Sequence, residues 1–256
     1  YYLAVPGLGD GETDTVVEYI KEQRTQYHKT FKAVLPLAAA DNEGIINFAT
    51  DNIKIAAKTY TTAEFCCRIA GILAGLPLNR SATYYTLPEV ESITESETPD
   101  DDVDNGKLIL INDGTKIKIA RGVNSLTTTT EDKGEDFKKI KIIEAVDMIR
   151  DDIRATFEDE FVGKVENSYD NKIVFIAAVN KYFKDLANRG VLYDKYDNKA
   201  EIDIDETREW LSKTRDVSSW DDEKIKTANT GTNVFVRASI QIQDAIEDLK
   251  FGIYIE

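Results

Sequence analysis

Apolar positions fall in two registers along the chain, one suited to helices and one to strands. YYLAVP is a short apolar run, followed by the Gly-rich turn GLGDGE and then by Val16, Val17, Ile20 and Tyr27 at three-to-four spacing. That spacing predicts a helix with one buried face. FKAVLPLA reads as a second strand closed by Pro36. Strand, helix, strand in this order predicts a parallel sheet covered on both faces. Thr61 and Glu64 in TTAE have the spacing of a capping box. The helix they start carries Phe65, Cys66, Ile69 and Leu73 inward and stops at Gly75 and Pro77.

TLPEVESITESETPDDDVDNG is polar, acidic and interrupted by Pro88 and Pro99. It reads as an irregular connection, with an α/β domain over 1–104 and an α+β domain over 105–256. GKLILINDGTKIKIARG alternates around Asp113-Gly114, a strong hairpin signal. A long helix is expected from about Glu135 to Phe161, striped by Ile142, Val146, Ile149, Ile153, Phe157 and Phe161. DNKIVFIAAVNKYFKDLANRG is a further helix stopped by Gly190, apolar around most of its first half and so expected to be central. A shorter helix near Asp205 carries Trp210 and Leu211. The remainder alternates as strands do. Val234, Val236, Ala238, Ile240 and Ile242 share one face, and so do Phe251, Ile253 and Ile255 of FGIYIE. No repeat of solenoid period occurs.

Composition narrows the function classes. With 42% hydrophobic and 31% charged residues the chain has the makeup of an ordinary globular protein. No apolar run reaches membrane-span length, and no signal peptide is visible. Forty-seven acids against 32 bases give a net charge of −15, which opposes binding to a phosphate backbone. The cysteines, Cys66 and Cys67, are adjacent and make a poor disulfide; they read as two small core residues in a reducing compartment.

Candidate chemistry is thin. Gly7, Gly9 and Gly11 form G-x-G-x-G, but the dinucleotide fingerprint needs its third glycine where Glu12 sits. Asp10, Glu12 and Asp14 already satisfy the helix dipole there and would repel a phosphate. An α/β enzyme or nucleotide-binding domain using the Gly7–Gly11 turn is the alternative reading. Asp100, Asp102 and Asp104 have calcium-loop spacing, but Gly106 is one place late and Ile111 stands where a bidentate Glu is needed. His28 lies at an exposed helix end, no G-x-S-x-G elbow occurs, and a zinc site lacks ligands. No catalytic, cofactor-binding or metal residue is therefore assigned. The chain reads as beginning and finishing on strands, and a bare apolar strand such as FGIYIE is a donor for pairing with another chain.

Several segments, in order, resemble contractile phage tail sheath proteins of the type found in myophages and phage-like particles of Gram-positive bacteria. They are EGIINFATDNI, RIAGILAGLPLNRSATYYTLPEV, KIKIARGVNSLTTTT, VGKVENSYDNK and ANTGTNVFVRASIQIQDAIEDLKFGIYIE. Ile119 to Leu126, IARGVNSL, closely resembles a signature of that family, and it is the five segments in order that are specific. The resemblance runs from near Tyr1 to Glu256, with the family's N-terminal part and its assembly arm absent. It implies a truncated, non-catalytic subtilisin-like domain followed by an α+β sheath domain with a terminal β-strand arm. It implies a homo-oligomeric sheath of stacked hexameric rings around a tail tube, contracting on a baseplate trigger, with a tail terminator as further partner. It implies no cofactor, nucleic acid or membrane insertion, and a place in a virion tail or tail-like particle assembled in the bacterial host cytoplasm. Leu249, Phe251, Ile253 and Ile255 are then the inter-subunit linking strand. Lys138, Lys139 and Lys141 are the tube-facing candidates, where charge reversal is expected to weaken tube attachment and spare the fold.

Overall fold

The computed structural model describes residues 1–131 and 133–255, with backbone alone at Asp10. The described chain forms two compact units, Tyr1–Asp147 with Asp244–Glu256, and Met148–Gln243.

The first unit is built on a parallel sheet. β1 (Tyr2–Leu3), β2 (Lys32–Pro36) and β3 (Ile45–Phe48) pair in parallel, and α1 (Asp10–Thr25) makes the crossover from β1 to β2. The β4 (Ile53–Ile55) and β5 (Lys58–Tyr60) hairpin leads into α2 (Thr62–Gly75). After α3 (Pro99–Asp104), β6 (Lys107–Leu108) closes the sheet in the order β1-β2-β3-β6. Helices cover both faces, as the βαβ pattern predicts. Val17 and Ile20 of α1 pack with Ala33, Leu35 and Ile45. Phe65, Cys66, Ile69 and Leu73 of α2 pack with Val34, Ile46, Phe48 and Leu108. β2 is thus buried on both sides, and from Ala33 onward it reads as a continuous apolar run.

The α2 capping box is formed. Glu64 N–H donates to Thr61 Oγ1 at 3.3 Å, and Thr61 N–H donates to Glu64 Oε2 at 2.9 Å. Replacing Thr61 by alanine is expected to cost about 1 kcal/mol, read as a shift in the urea midpoint. An unchanged midpoint would show that packing alone starts this helix.

The boundary expected at 104/105 is not where compactness divides the chain. The acidic stretch buries Leu87 and Val90 in the core of the first unit. β7 (Leu110–Asn112) and β8 (Ile117–Ile119) form the Asp113-Gly114 hairpin, and they add Leu110, Ile117 and Ile119 to that same core. Polarity marks this stretch as solvated, but two apolar anchors suffice to hold it down. The division falls instead at 147/148, inside α4 (Ile140–Glu160). That helix begins later than expected, because a 3₁₀ turn over Glu135–Lys138 ends in extended backbone at Lys139. Two further corrections concern α1 and α2. Tyr27 lies beyond the end of α1 and is exposed. Cys67 faces solvent, one position off the buried stripe that holds Cys66.

A buried ionic cluster fixes the start of α4 to β2 and α1. Arg24 meets Asp147 bidentately, at 2.9 and 3.0 Å. Lys32 Nζ lies 2.8 Å from Asp147 and 3.2 Å from Glu144. Glu144 also accepts the Tyr2 hydroxyl at 2.5 Å. Glu43 contacts Arg24 at 3.5 Å and Lys133 at 3.0 Å. Gly44 is required for this approach, since a Cβ there would lie 2.5 Å from Arg24 Cδ.

The second unit contains the remainder of α4, α5 (Tyr169–Asn188), β9 (Lys199–Ile202), α6 (Ile204–Ser212), α7 (Asp222–Thr227) and β10 (Val236–Ser239). Phe157 and Phe161 meet Phe175 edge-on, with centroids 5.1 and 5.2 Å apart. α5 ends before Gly190 as expected, but it is not central, since Ile173 and Val174 are exposed. α6 carries Leu211 into a small core with Val217 and Ile225. β10 pairs antiparallel with β9 over four residues, and beyond it an isolated bridge joins Leu192 to Ile242. The strand expected over Val234–Ile242 is therefore shorter than its alternation suggests. Alternation marks a face but does not supply a partner along its whole length.

Candidate assembly site

IARGVNSL forms a strap across the first unit. Ser125 N–H donates to the Ile45 carbonyl at 2.8 Å, and its hydroxyl donates to the Asn42 carbonyl at 2.9 Å. Asn124 donates from Nδ2 to the Phe137 carbonyl at 2.7 Å and accepts Leu126 N–H at 2.9 Å. Both side chains are buried, so this part of the segment is scaffold. Gly122 N–H donates to Thr83 Oγ1 at 3.0 Å, and Ile140 N–H donates to the Gly122 carbonyl at 2.9 Å.

The strap presents one cation to the end of the chain. Arg121 Nη1 lies 3.2 Å from Glu247, and Nη2 bonds Asp248. Glu247 also accepts the Thr83 hydroxyl at 2.7 Å. Lys139, bridged in backbone to Val123, bonds Asp244. These contacts raise Arg121 and Lys139 above their ordinary pKa values, in each case chiefly through the hydrogen bond to the facing aspartate. Arg121 holds the Asp248 carboxyl below its usual range. Burial pushes Asp244 up, but Lys139 outweighs it and the net direction is down.

Beyond Asp248 the chain leaves its support. Leu249 is 86% exposed, Phe251 76%, Ile253 75% and Ile255 94%. These four residues alternate along one exposed segment, with no helix or strand assigned over 249–255. Glu256, the last residue of FGIYIE, lies outside the described residues.

The three lysines expected to face a tube have different surroundings. Lys138 pairs with exposed Glu135 at 2.9 Å. Lys139 is engaged by Asp244, and Lys141 is buried, which lowers its pKa against the raising charges of Asp244 and Glu247. Charge reversal at Lys139 and Lys141 would therefore disturb the chain's own packing. Sequence reasoning missed Arg121, Thr83 and the acids that meet them. The signal was available in the i, i+3, i+4 spacing of Asp244, Glu247 and Asp248 ahead of the apolar tail.

The other candidates have local employment. Gly7 adopts the left-handed region at φ +74, as a tight turn needs. Glu12 reaches back to Gly9 N–H at 3.0 Å, so it occupies a donor that a nucleotide phosphate would use; the Asp10 carboxylate lies outside the described groups. The Asp100–Asp104 stretch is α3 rather than a loop, and Asp102 is engaged by Ser96 at 2.6 Å and Lys107 at 2.7 Å. His28 is exposed just past α1.

Comparison with known proteins gives the family. Residues 132–256 match the phage tail sheath C-terminal domain. The tail sheath protein of Clostridium phage phiCD119 is 38% identical over 255 residues, spanning 98% of this chain and 71% of that protein. The sheath tail protein of Desulfitobacterium hafniense superposes with a TM-score of 0.71 at 22% identity, over 78% of this chain and 49% of that one. The contracted helical sheath of the anti-feeding prophage superposes at 0.69 with 12% identity, over 100% of this chain and 70% of that one. These two likenesses establish the mixed α/β fold. On the strength of the phage relative, the chain belongs to the phage tail sheath proteins, a family of structural proteins.

Proposed function

We propose that this chain is a structural subunit of a contractile tail sheath, polymerising as stacked hexameric rings around a tail tube and shortening to drive the tube through a target envelope. The supporting observation is the tail. Leu249, Phe251, Ile253 and Ile255 expose a strand-like alternation beyond a fixed root, and no strand pairs with them among the described residues. A segment of this kind is suited to adding a strand to a neighbour's sheet. Subunits joined in this way stay connected while the packing between them changes, which is what a switch between two arrangements requires.

On this reading the partners are further copies of the chain, a tube protein, a baseplate and a terminator. The particle is a virion tail or tail-like particle assembled in the host cytoplasm. The first unit is a non-catalytic domain of the subtilisin-like type. Lys138, Lys139 and Lys141 are the tube-facing candidates, and of these Lys138 pairs with an exposed carboxylate across its own turn. The nucleotide reading is disfavoured by Glu12, which occupies the helix start.

The test is co-expression with the cognate tube protein and negative-stain electron microscopy. Striated tubes around a central tube are expected. Dispersed single subunits beside bare tubes, at every salt and protein concentration, would contradict the proposal.

A further inference from the structure

We infer that Arg121 and Lys139 are positioning residues whose ionic contacts to Asp244, Glu247 and Asp248 latch the root of the terminal segment and thereby aim residues 249–255. The inference rests on the reading of those residues as a linking strand.

The hold on the root is made by side chains. No helix or strand is assigned over 244–248, and Ala245 N–H turns back to Asp244 itself at 2.7 Å. Three carboxylates within five residues instead meet two cations and one hydroxyl. Those donors share a frame. Thr83 Oγ1 receives Gly122 N–H next to Arg121, and the backbone of Lys139 bridges Val123. Lys141 lies buried behind this frame, and the charges of Asp244 and Glu247 act on it. The root is therefore fixed at both ends of a five-residue span, while residues 249–255 are exposed.

The contacts are also weak enough to open. The side chains of Arg121 and Lys139 are 31% and 37% exposed, so solvent and salt screen both pairs. A strand that must reach a neighbour in two packings needs a defined direction and a root that yields under load. A covalent or ladder-like attachment would supply the first without the second. Partly exposed ion pairs on a buried strap supply both.

The test is a distance distribution between spin labels on native Cys67 and on Lys250→Cys, both in the first unit. Cys67 is exposed, whereas burial and the neighbouring Cys67 push the Cys66 thiol up to about 12, so Cys66 stays unlabelled. In low salt the distribution is expected to be narrow, and it should broaden in molar salt. Arg121→Glu should broaden it in low salt, and adding Glu247→Arg with Asp248→Arg should narrow it again. Circular dichroism and thermal midpoint check that each variant folds. A distribution in Arg121→Glu as narrow as in the unaltered chain would overturn the latch, as would one already broad in the unaltered chain. Sheath yield by microscopy separates the two levels. If Arg121→Glu broadens the distribution while removal of residues 249–255 leaves assembly intact, the latch stands and the linking-strand reading fails.

Discussion

Replacing Asp147 with alanine is expected to destabilise the first unit by about 3–5 kcal/mol, the usual cost of removing one partner from a buried ionic cluster. Asp147 is 3% exposed and receives both Arg24 and Lys32, which are themselves 8% and 3% exposed. Its loss leaves the two buried cations with Glu43 and Glu144 as their remaining acidic partners among the described residues. Asp147→Asn keeps the shape and removes the charge, so it should recover little of the loss. Urea unfolding followed by tryptophan-independent circular dichroism reads the change. A loss below about 1 kcal/mol, the size expected of a surface pair, would show that water or rearrangement compensates the cations.

The same cluster sets a pH dependence. Burial alone pushes the Asp147 carboxyl up, but the hydrogen bonds and charges of Arg24 and Lys32 outweigh it and hold the group below its ordinary value. Glu43 behaves alike, with Lys133 and Arg24 opposing burial. Carboxylates with a depressed folded-state pKa contribute stability that is present above the unfolded-state pKa, about 4. That contribution is lost as pH falls through the lower folded-state value. Stability should therefore drop steeply below about pH 4, and less steeply in Asp147→Asn. Equal slopes would remove Asp147 as the source.

Deleting residues 249–255 is expected to abolish sheath assembly while leaving the subunit folded. Leu249, Phe251, Ile253, Tyr254 and Ile255 are each at least 75% exposed, so their removal uncovers almost no apolar surface within the subunit. The change in unfolding free energy should stay within about 0.5 kcal/mol, as for substitutions on an open surface. Restoring alternation with different apolar residues, for example Phe251→Leu with Ile253→Val, should restore assembly, because strand addition draws its affinity from main-chain hydrogen bonds. Polar residues at the same two positions should not. Tubes of normal yield from the deleted chain would place the subunit contacts elsewhere.

Local signals in the sequence were mostly sound. The βαβ start, the Thr61–Glu64 box, the Asp113-Gly114 hairpin and the stop at Gly190 each depend on neighbours a few residues apart. Each is found in the structure. What local signals did not reveal depends on distant partners. Leu87 and Val90 sit in an acidic stretch, and nothing nearby reveals that a core drawn from Val34 to Ile140 receives them. The Lys138, Lys139 and Lys141 cluster reads as one patch in sequence. In space it divides among a local pair, a long-range pair with Asp244 and a buried position. The anchor of the tail joins Thr83, Arg121 and Glu247, which are brought together only by folding. Arg121 was legible as part of IARGVNSL but not as the residue that grips the root.

The measurement that bears most directly on this account is a helical cryo-EM reconstruction of the assembled particle. The account predicts continuous density for residues 249–255 as an extended strand, hydrogen-bonded along its length to the sheet of an adjacent subunit. Density that folds this segment back onto its own subunit, in an otherwise intact sheath, would contradict it.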